Sequence, residues 1–514
     1  MIYKLLQNTR KKKTFIKNTK TVITSTAYGK IKGVVNKGVY VWRGVPYARP
    51  PIGDLRFKQA QKPFDFDGVY DATSFKPICP QMIRFEKEQE SEDCLYLNIF
   101  SPSLSPPLKP VMVFLHGGCF IAGSGSQYLY DGNNIAKKGV VTVTVNYRLG
   151  ALGMLDFSFL GKEFEDNIAL KDQLAALEWV YENIAAFGGN PHDITLCGHS
   201  AGAISVLCLL NVLQAAKYIK KAIAISPFPD ILNTKERALE IAQGFLKFAG
   251  IEQSEAKRRL KEMSCEQLNG LARAYAQSHQ RRNGLDLLMP VIDGEFLPLR
   301  PIESVRDGHS CCPPLLIGVT KNEIDIMFKV KYYKSMALDE LNYLMEAEED
   351  VGRELFEAYA QSGCQNPHAA LGRDWLLKIP SEWYADFHSR YGKAWLYRFD
   401  YDNLFLKLTG LHAVHTLDLI FVFGNFDNMV GKALFSLTPF RKKAFELADR
   451  IREDFVKFIK SGEASWDSFD LDKAVKIFHK DGDWVERSEE NFIRSIWEKT
   501  KVYKTLKGDI QSFV

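Results

Sequence analysis

The 514-residue chain has no apolar run near the roughly 18 residues that a membrane span requires. Residues 140–145, one of its more apolar stretches, are long enough only for a buried strand. There is no Cys-x-x-Cys pair to suggest a zinc site, and no internal repeat or low-complexity linker. Positions 1–20 contain no Asp or Glu, whereas Lys4, Arg10, Lys11, Lys12, Lys13, Lys17 and Lys20 all fall there. These cations outnumber the formal net charge of +5, so the excess belongs to a short arm and not to a phosphate-binding face. The arm also lacks the continuous apolar core of a secretion signal. The expectations are a basic, disordered arm over 1–20, no membrane span and no nucleic-acid partner.

Cysteine is present but unpatterned. Cys79, Cys94, Cys119, Cys197, Cys208, Cys265, Cys311, Cys312 and Cys364 make an odd set with irregular spacing. That favours mostly buried free thiols in a reducing compartment, and hence a cytoplasmic protein. The remaining composition, 46% apolar and 25% charged, is that of an ordinary soluble protein large enough for a substantial core. Residues 21–514 read as one folded unit, expected to be monomeric.

Short, nearly continuous apolar runs at 110–115, 140–145, 193–197, 222–225 and 315–319 suit strands covered on both faces. Helical patterns separate them; one at 170–183 aligns Leu170, Leu174, Leu177 and Val180. Strand–helix alternation predicts an α/β fold with a mostly parallel central sheet and helices on both faces. An edge hairpin is expected at 24–33 and a short strand at 39–42. Residues 233–310 and 331–390, including charged stretches at 235–249 and 339–358, read as helical cap insertions that shape a pocket.

One five-residue pattern carries chemistry. Gly198-His199-Ser200-Ala201-Gly202 follows an apolar strand and opens a helix. A strand-to-helix turn that exposes a serine needs small neighbours, and a helix N-terminus favours developing negative charge. Ser200 is therefore the candidate nucleophile. Gly308-His309-Ser310-Cys311-Cys312 lacks the closing glycine and precedes its strand, so Ser310 is rejected. The strand at 110–115 ends in His116-Gly117-Gly118-Cys119-Phe120. Serine attack on an ester creates an oxyanion, and the amides of Gly118, Cys119 and Ala201 are the expected donors to it.

Longer motifs extend the case. Gly44-Val45-Pro46-Tyr47-Ala48-Arg49-Pro50-Pro51-Ile52-Gly53, Arg56-Phe57, Glu92-Asp93-Cys94-Leu95-Tyr96-Leu97-Asn98, Asn146-Tyr147-Arg148-Leu149-Gly150, Asp172-Gln173 and Phe187-Gly188-Gly189-Asn190-Pro191 occur in order. Through them the chain resembles the type-B carboxylesterases of the α/β-hydrolase fold over about residues 22–462. Ile78-Cys79-Pro80-Gln81 and Phe421-Val422-Phe423-Gly424-Asn425 make it most similar to the bacterial para-nitrobenzyl esterases. The resemblance implies Glu323 as the acid, with Asp325 a nearby rival, and His415 as the general base in preference to His412. It also implies Ser226 and Asp418 as polar groups behind these residues, Arg56–Glu92 as a structural ion pair, and Cys79–Cys94 as a pair that is disulfide-bonded in secreted relatives.

Three positions depart from the family pattern. His199 stands where many relatives have glutamate, Cys119 replaces a glycine or alanine, and Ile324 replaces a glycine. His199 is expected either to shift the pH profile or to sit as a neutral, hydrogen-bonded imidazole. The implied activity is hydrolysis of small carboxylic esters through an acyl-enzyme, with no metal or organic cofactor. Amidase, carbamate hydrolase or acyltransferase activity on the same residues, or a non-catalytic binding role, are the alternatives.

Overall fold

A computed structural model describes residues 20–83, 88–278, 287–325, 348, 350–364, 366–426, 435, 438–487 and 492–507. The arm expected at 1–20, Lys20 excepted, lies outside them. Of the stretch at 339–358, only 348 and 350–358 lie inside, and these are helical.

The strands are β1 (Thr21–Thr26), β2 (Gly29–Asn36), β3 (Val39–Pro46), β4 (Val69–Asp71), β5 (Tyr96–Ser101), β6 (Lys109–Leu115), β7 (Val141–Val145) and β8 (Gly189–His199). They continue with β9 (Lys221–Ile225), β10 (Asn233–Thr234), β11 (Val291–Ile292), β12 (Leu315–Thr320), β13 (Ala394–Phe399), β14 (Ala474–Phe478) and β15 (Trp484–Arg487). All but β10 and β11 form one sheet, ordered β1-β2-β3-β5-β7-β6-β8-β9-β12-β13-β14-β15, with β4 beside β2. From β7 to β14 every neighbour is parallel. The β1–β2–β3–β5–β7 flank and β15 are antiparallel. This is the α/β-hydrolase arrangement. The hairpin is longer than expected, and β3 runs on to Pro46.

The alternation of side chains along a strand separates two cores. Val111, Val113 and Leu115 of β6 join a cluster with Ala203 and Val206 from the helix Ala201–Leu209. Met112 and Phe114 join another, with Ile420 from the helix Leu417–Phe423 and Leu447 from Thr438–Ser461. Helices therefore cover both faces, and the continuous apolar runs follow from that double burial. The helix Ile168–Asn183 buries a wider arc than its leucines suggest: Leu174 is only half-buried, whereas Asp172 and Gln173 are fully buried.

Residues 233–310 contain the helices Lys235–Phe248, Gln253–Glu262, Cys265–Ser278 and Pro301–Arg306, together with the parallel β10–β11 pair. Between 366 and 390 the chain is helical from Pro367 to His388, with a π turn at Asp374–Lys378. The carboxyl ends of β6, β8, β9 and β12 lie side by side, where ligand sites of parallel sheets form.

Candidate active site

Ser200 joins β8 to the helix Ala201–Leu209 with φ 55° and ψ −120°, a conformation L-residues rarely adopt. Its amide donates to Ile225 O at 2.9 Å, which ties the turn to the end of β9. The flanking glycines are required by space. A Cβ on Gly198 would lie 2.1 Å from Gly202 O, and one on Gly202 would lie 2.1 Å from Leu115 O. Sheet, turn and helix approach too closely for any side chain there. Ser310, the rejected serine, donates to Ser304 Oγ at 3.1 Å and to Asn211, away from this turn.

Beyond β6 the backbone bends through Gly118 (φ 126°), Cys119 (φ 55°) and Phe120 (φ 56°). Gly118 O accepts from the amides of Ile121 and Ala122 at 3.0 and 3.1 Å, closing a tight turn. Among the described residues, the amides of Gly118, Cys119 and Ala201 donate no hydrogen bond to the protein. For Ala201 this follows from its place in the first turn of a helix, whose leading N–H groups lack intrahelical acceptors. His116 steadies the bend from behind. Its Nδ1 meets Gly117 O at 2.9 Å, its ring stacks on Tyr147 at 4.3 Å, and burial holds it down to about 4, hence neutral.

Glu323 follows β12 and is fully buried. Its Oε1 accepts from Ser226 Oγ and from the Thr320 amide, both at 2.6 Å, and its Oε2 meets His415 Nδ1. A further bond, His415 N to Glu323 O at 2.9 Å, joins the two loops through the backbone. A carboxylate with every partner assigned holds the imidazole in one orientation and tautomer. The rivals are engaged elsewhere: Asp325 pairs with Arg373 at 3.2 Å, and His412 Nδ1 with Asp402 at 2.8 Å. Ser226, at the end of β9, is buried with φ 50°. Asp418 is buried behind Glu323 and accepts from Tyr397 OH at 3.2 Å. Burial, and next the Glu323 charge, push its carboxyl up to about 7.

The end of β8 brings Ser200 and His415 into one cluster, because the His199 ring lies 4.7 Å from the His415 ring. His199 is fully buried, and burial together with His415 lowers its pKa far below the ordinary imidazole value. It is neutral, but neither ring nitrogen has a hydrogen-bond partner among the described residues, so the expected neighbouring bond is not formed. Cys119 is partly exposed beside the unspent amides; burial pushes its thiol up to about 11. Ile324 is buried against Val319 and Leu377, so the side chain that replaces a glycine fills a small apolar cluster.

The carboxylesterase family profile matches residues 19–507. The chain belongs to that family. It is 36% identical over 453 residues to a para-nitrobenzyl esterase of Bacillus subtilis, covering 86% of this chain and 90% of that one. It is 30% identical over 490 residues to a phenmedipham hydrolase of Pseudarthrobacter oxydans, covering 90% and 96%. A solved PNB esterase structure matches with a TM-score of 0.81 at 35% identity, over 92% of this chain and 99% of that chain. The protein is a carboxylic ester hydrolase acting on small-molecule esters. No helix among the described residues is long and apolar enough to cross a membrane.

Other parts of this esterase support the site from a distance. Arg56 meets Glu92 through Nε at 2.7 Å and through a second, closer contact. It also donates to the carbonyls of Leu260, Lys261 and Met263 at 3.0, 3.0 and 2.7 Å, at the end of the helix Gln253–Glu262. Those carbonyl bonds escaped sequence reasoning, as did the buried Arg148–Asp172 pair at 2.6 Å. Both residues of that pair stand in recognised motifs, but no periodicity links positions so far apart. Phe228 beside His415, with ring centroids 6.2 Å apart, and the Tyr397 contact to Asp418 left no sequence signal either. Cys79 and Cys94 are buried free thiols; a hydrogen bond between them, then burial, raises Cys94 well above its ordinary value.

Proposed function

We propose that this carboxylesterase hydrolyses its esters with Ser200 as nucleophile, His415 as general base and Glu323 as the acid that orients it. The observation that carries the reading is the buried Glu323 carboxylate, bonded to His415 Nδ1 and held by Ser226 and the Thr320 amide. His415 removes the Ser200 proton as Oγ attacks the ester carbonyl. The amides of Gly118, Cys119 and Ala201 receive the oxyanion. His415 then protonates the departing alcohol, leaving an acyl-enzyme that water hydrolyses by the same steps in reverse order of partners. Glu323 stabilises the imidazolium without taking its proton. The described helices of segments 233–310 and 331–390 cap the site and set which esters enter.

The test compares para-nitrophenyl acetate, longer acyl esters and the matching anilides with wild type, Ser200→Ala, His415→Ala and Glu323→Gln. Ester turnover that falls by roughly 10⁴-fold or more in the Ser200 and His415 variants supports the assignment. Turnover of the anilides at rates equal to the esters would replace the esterase reading by an amidase one. Unchanged ester turnover in any of the three variants removes that residue from the mechanism.

A further inference from the structure

Glu323 stands on a turn that its own backbone holds weakly. The amides of Glu323 and Ile324 donate no hydrogen bond among the described residues, and the backbone of the turn closes on one bond, Asp325 N to Asn322 O at 3.2 Å. Ser226 and the Thr320 amide pin the carboxylate, but the main chain that carries it needs support from elsewhere. Because His415 N donates to Glu323 O, a shift of this turn would disturb both residues.

The support comes from the cap, at an irregular point of its helix. The helix from Pro367 to His388 widens at Asp374–Lys378 into a π turn, closed by the bond from Ile379 N to Asp374 O. Such turns are rare and recur at functional sites. Here three consecutive residues meet three partners. Glu323 meets His415, Ile324 packs on Leu377 within the π turn, and Asp325 accepts from Arg373 Nη1 at 3.2 and 3.3 Å. Phe228, which lies against His415, packs on the same apolar cluster as Ile324 and Leu377. The π turn is itself anchored from behind. Asp374 is buried and accepts from Arg373 Nε at 2.7 Å and from Tyr359 OH at 2.8 Å, and Trp497 Nε1 donates to that hydroxyl at 3.0 Å. Ile324 stands where the family pattern has glycine, which has no side chain to reach Leu377, so the apolar half of this clasp depends on that departure.

We infer, on the basis of the proposed triad, that the Arg373–Asp325 and Leu377–Ile324 contacts position Glu323 and, through it, His415. Leu377 is fully buried and Arg373 is spent on two carboxylates, so both are positioning residues that act through the turn. A misplacement of about 1 Å near the chemistry can cost on the order of 10²-fold in rate. Glu323 is needed most when the imidazolium forms in the transition state, so the loss falls on kcat and leaves KM nearly unchanged.

The test compares wild type with Asp325→Ala, Asp325→Glu, Ile324→Gly and His415→Ala. Asp325→Ala cuts the ionic tie while Asp374 still neutralises Arg373, and Ile324→Gly returns the family residue. Steady-state hydrolysis of para-nitrophenyl butyrate, divided by the sites that fluorophosphonate titration counts, gives kcat and KM. Proton NMR follows the far-downfield proton of the Glu323–His415 bond, identified by its loss in His415→Ala. Asp325→Ala and Ile324→Gly should each lower kcat roughly tenfold, keep KM within about threefold, and shift or weaken that proton. Asp325→Glu, which keeps a carboxylate for Arg373, should recover most of both. A kcat within about twofold of wild type in either Asp325→Ala or Ile324→Gly overturns the inference. So does a fall in kcat with the proton unmoved, a rise in KM in place of a fall in kcat, or an Asp325→Glu protein as impaired as Asp325→Ala. Full turnover in His415→Ala, or wild type that lacks the proton, would instead overturn the proposed triad.

Discussion

Asp418→Asn should make the protein's stability less dependent on pH. The carboxyl is 1% exposed, and burial with the Glu323 charge raises it from 3.8 to about 7. Between those values the folded chain holds a proton that the unfolded chain has released. Stability therefore falls as pH rises through this window and levels off above about 7. At 1.36 kcal/mol per unit, wild type should lose about 3 kcal/mol between pH 5 and 8.5 through this group alone. Asparagine keeps the shape and can still accept from Tyr397 OH, but it has no proton to lose. Urea unfolding of both proteins at pH 5 and 8.5, read by tryptophan fluorescence, gives the difference. The variant should gain about 3 kcal/mol on wild type across the range. A gap that is constant to about 0.5 kcal/mol, or that moves the other way, would show that Asp418 ionises normally in the fold.

Four further outcomes follow from the geometry. Ser226→Ala deletes a 2.6 Å bond to a buried carboxylate, worth about 1.5–3 kcal/mol, so kcat should fall roughly tenfold to a hundredfold in steady-state assays. Retained kcat would mean that the Thr320 amide alone fixes Glu323. Arg56→Met leaves Glu92 and three helix-end carbonyls without their cation and should cost about 3–5 kcal/mol in unfolding experiments, with activity per folded molecule unchanged. Cys119→Ala should retain kcat within about threefold, because the proposed role uses the backbone amide. The Cys119 thiol, pushed up to about 11, should also resist iodoacetamide at pH 7.5 in peptide mapping.

The sheet was readable because its central strands are buried on both faces, which writes them as continuous apolar runs. Ser200 was readable for a related reason: the Gly198 and Gly202 contacts of 2.1 Å to backbone allow no other residue, so the packing requirement appears as a motif. Glu323 and His415 came from the family resemblance, since nothing local separates them from Asp325 and His412. The fold separates them through different partners, Arg373 for Asp325 and Asp402 for His412. What stayed hidden depends on contacts between distant positions. Arg148 with Asp172, Tyr397 with Asp418 and Phe228 with His415 meet only when β7, β9 and β13 are assembled with the helices Ile168–Asn183 and Leu417–Phe423. His199 was noticed as a departure, but its missing hydrogen bonds belong to three-dimensional packing and to nothing in the chain order.

The most direct measurement is active-site labelling with a fluorophosphonate, followed by peptide mapping. One equivalent should attach to the peptide containing Ser200, with complete loss of ester hydrolysis. Ser200→Ala should take up no label and show no turnover. Label on another serine, or hydrolysis that survives Ser200→Ala, would contradict the assignment of Ser200 as the nucleophile.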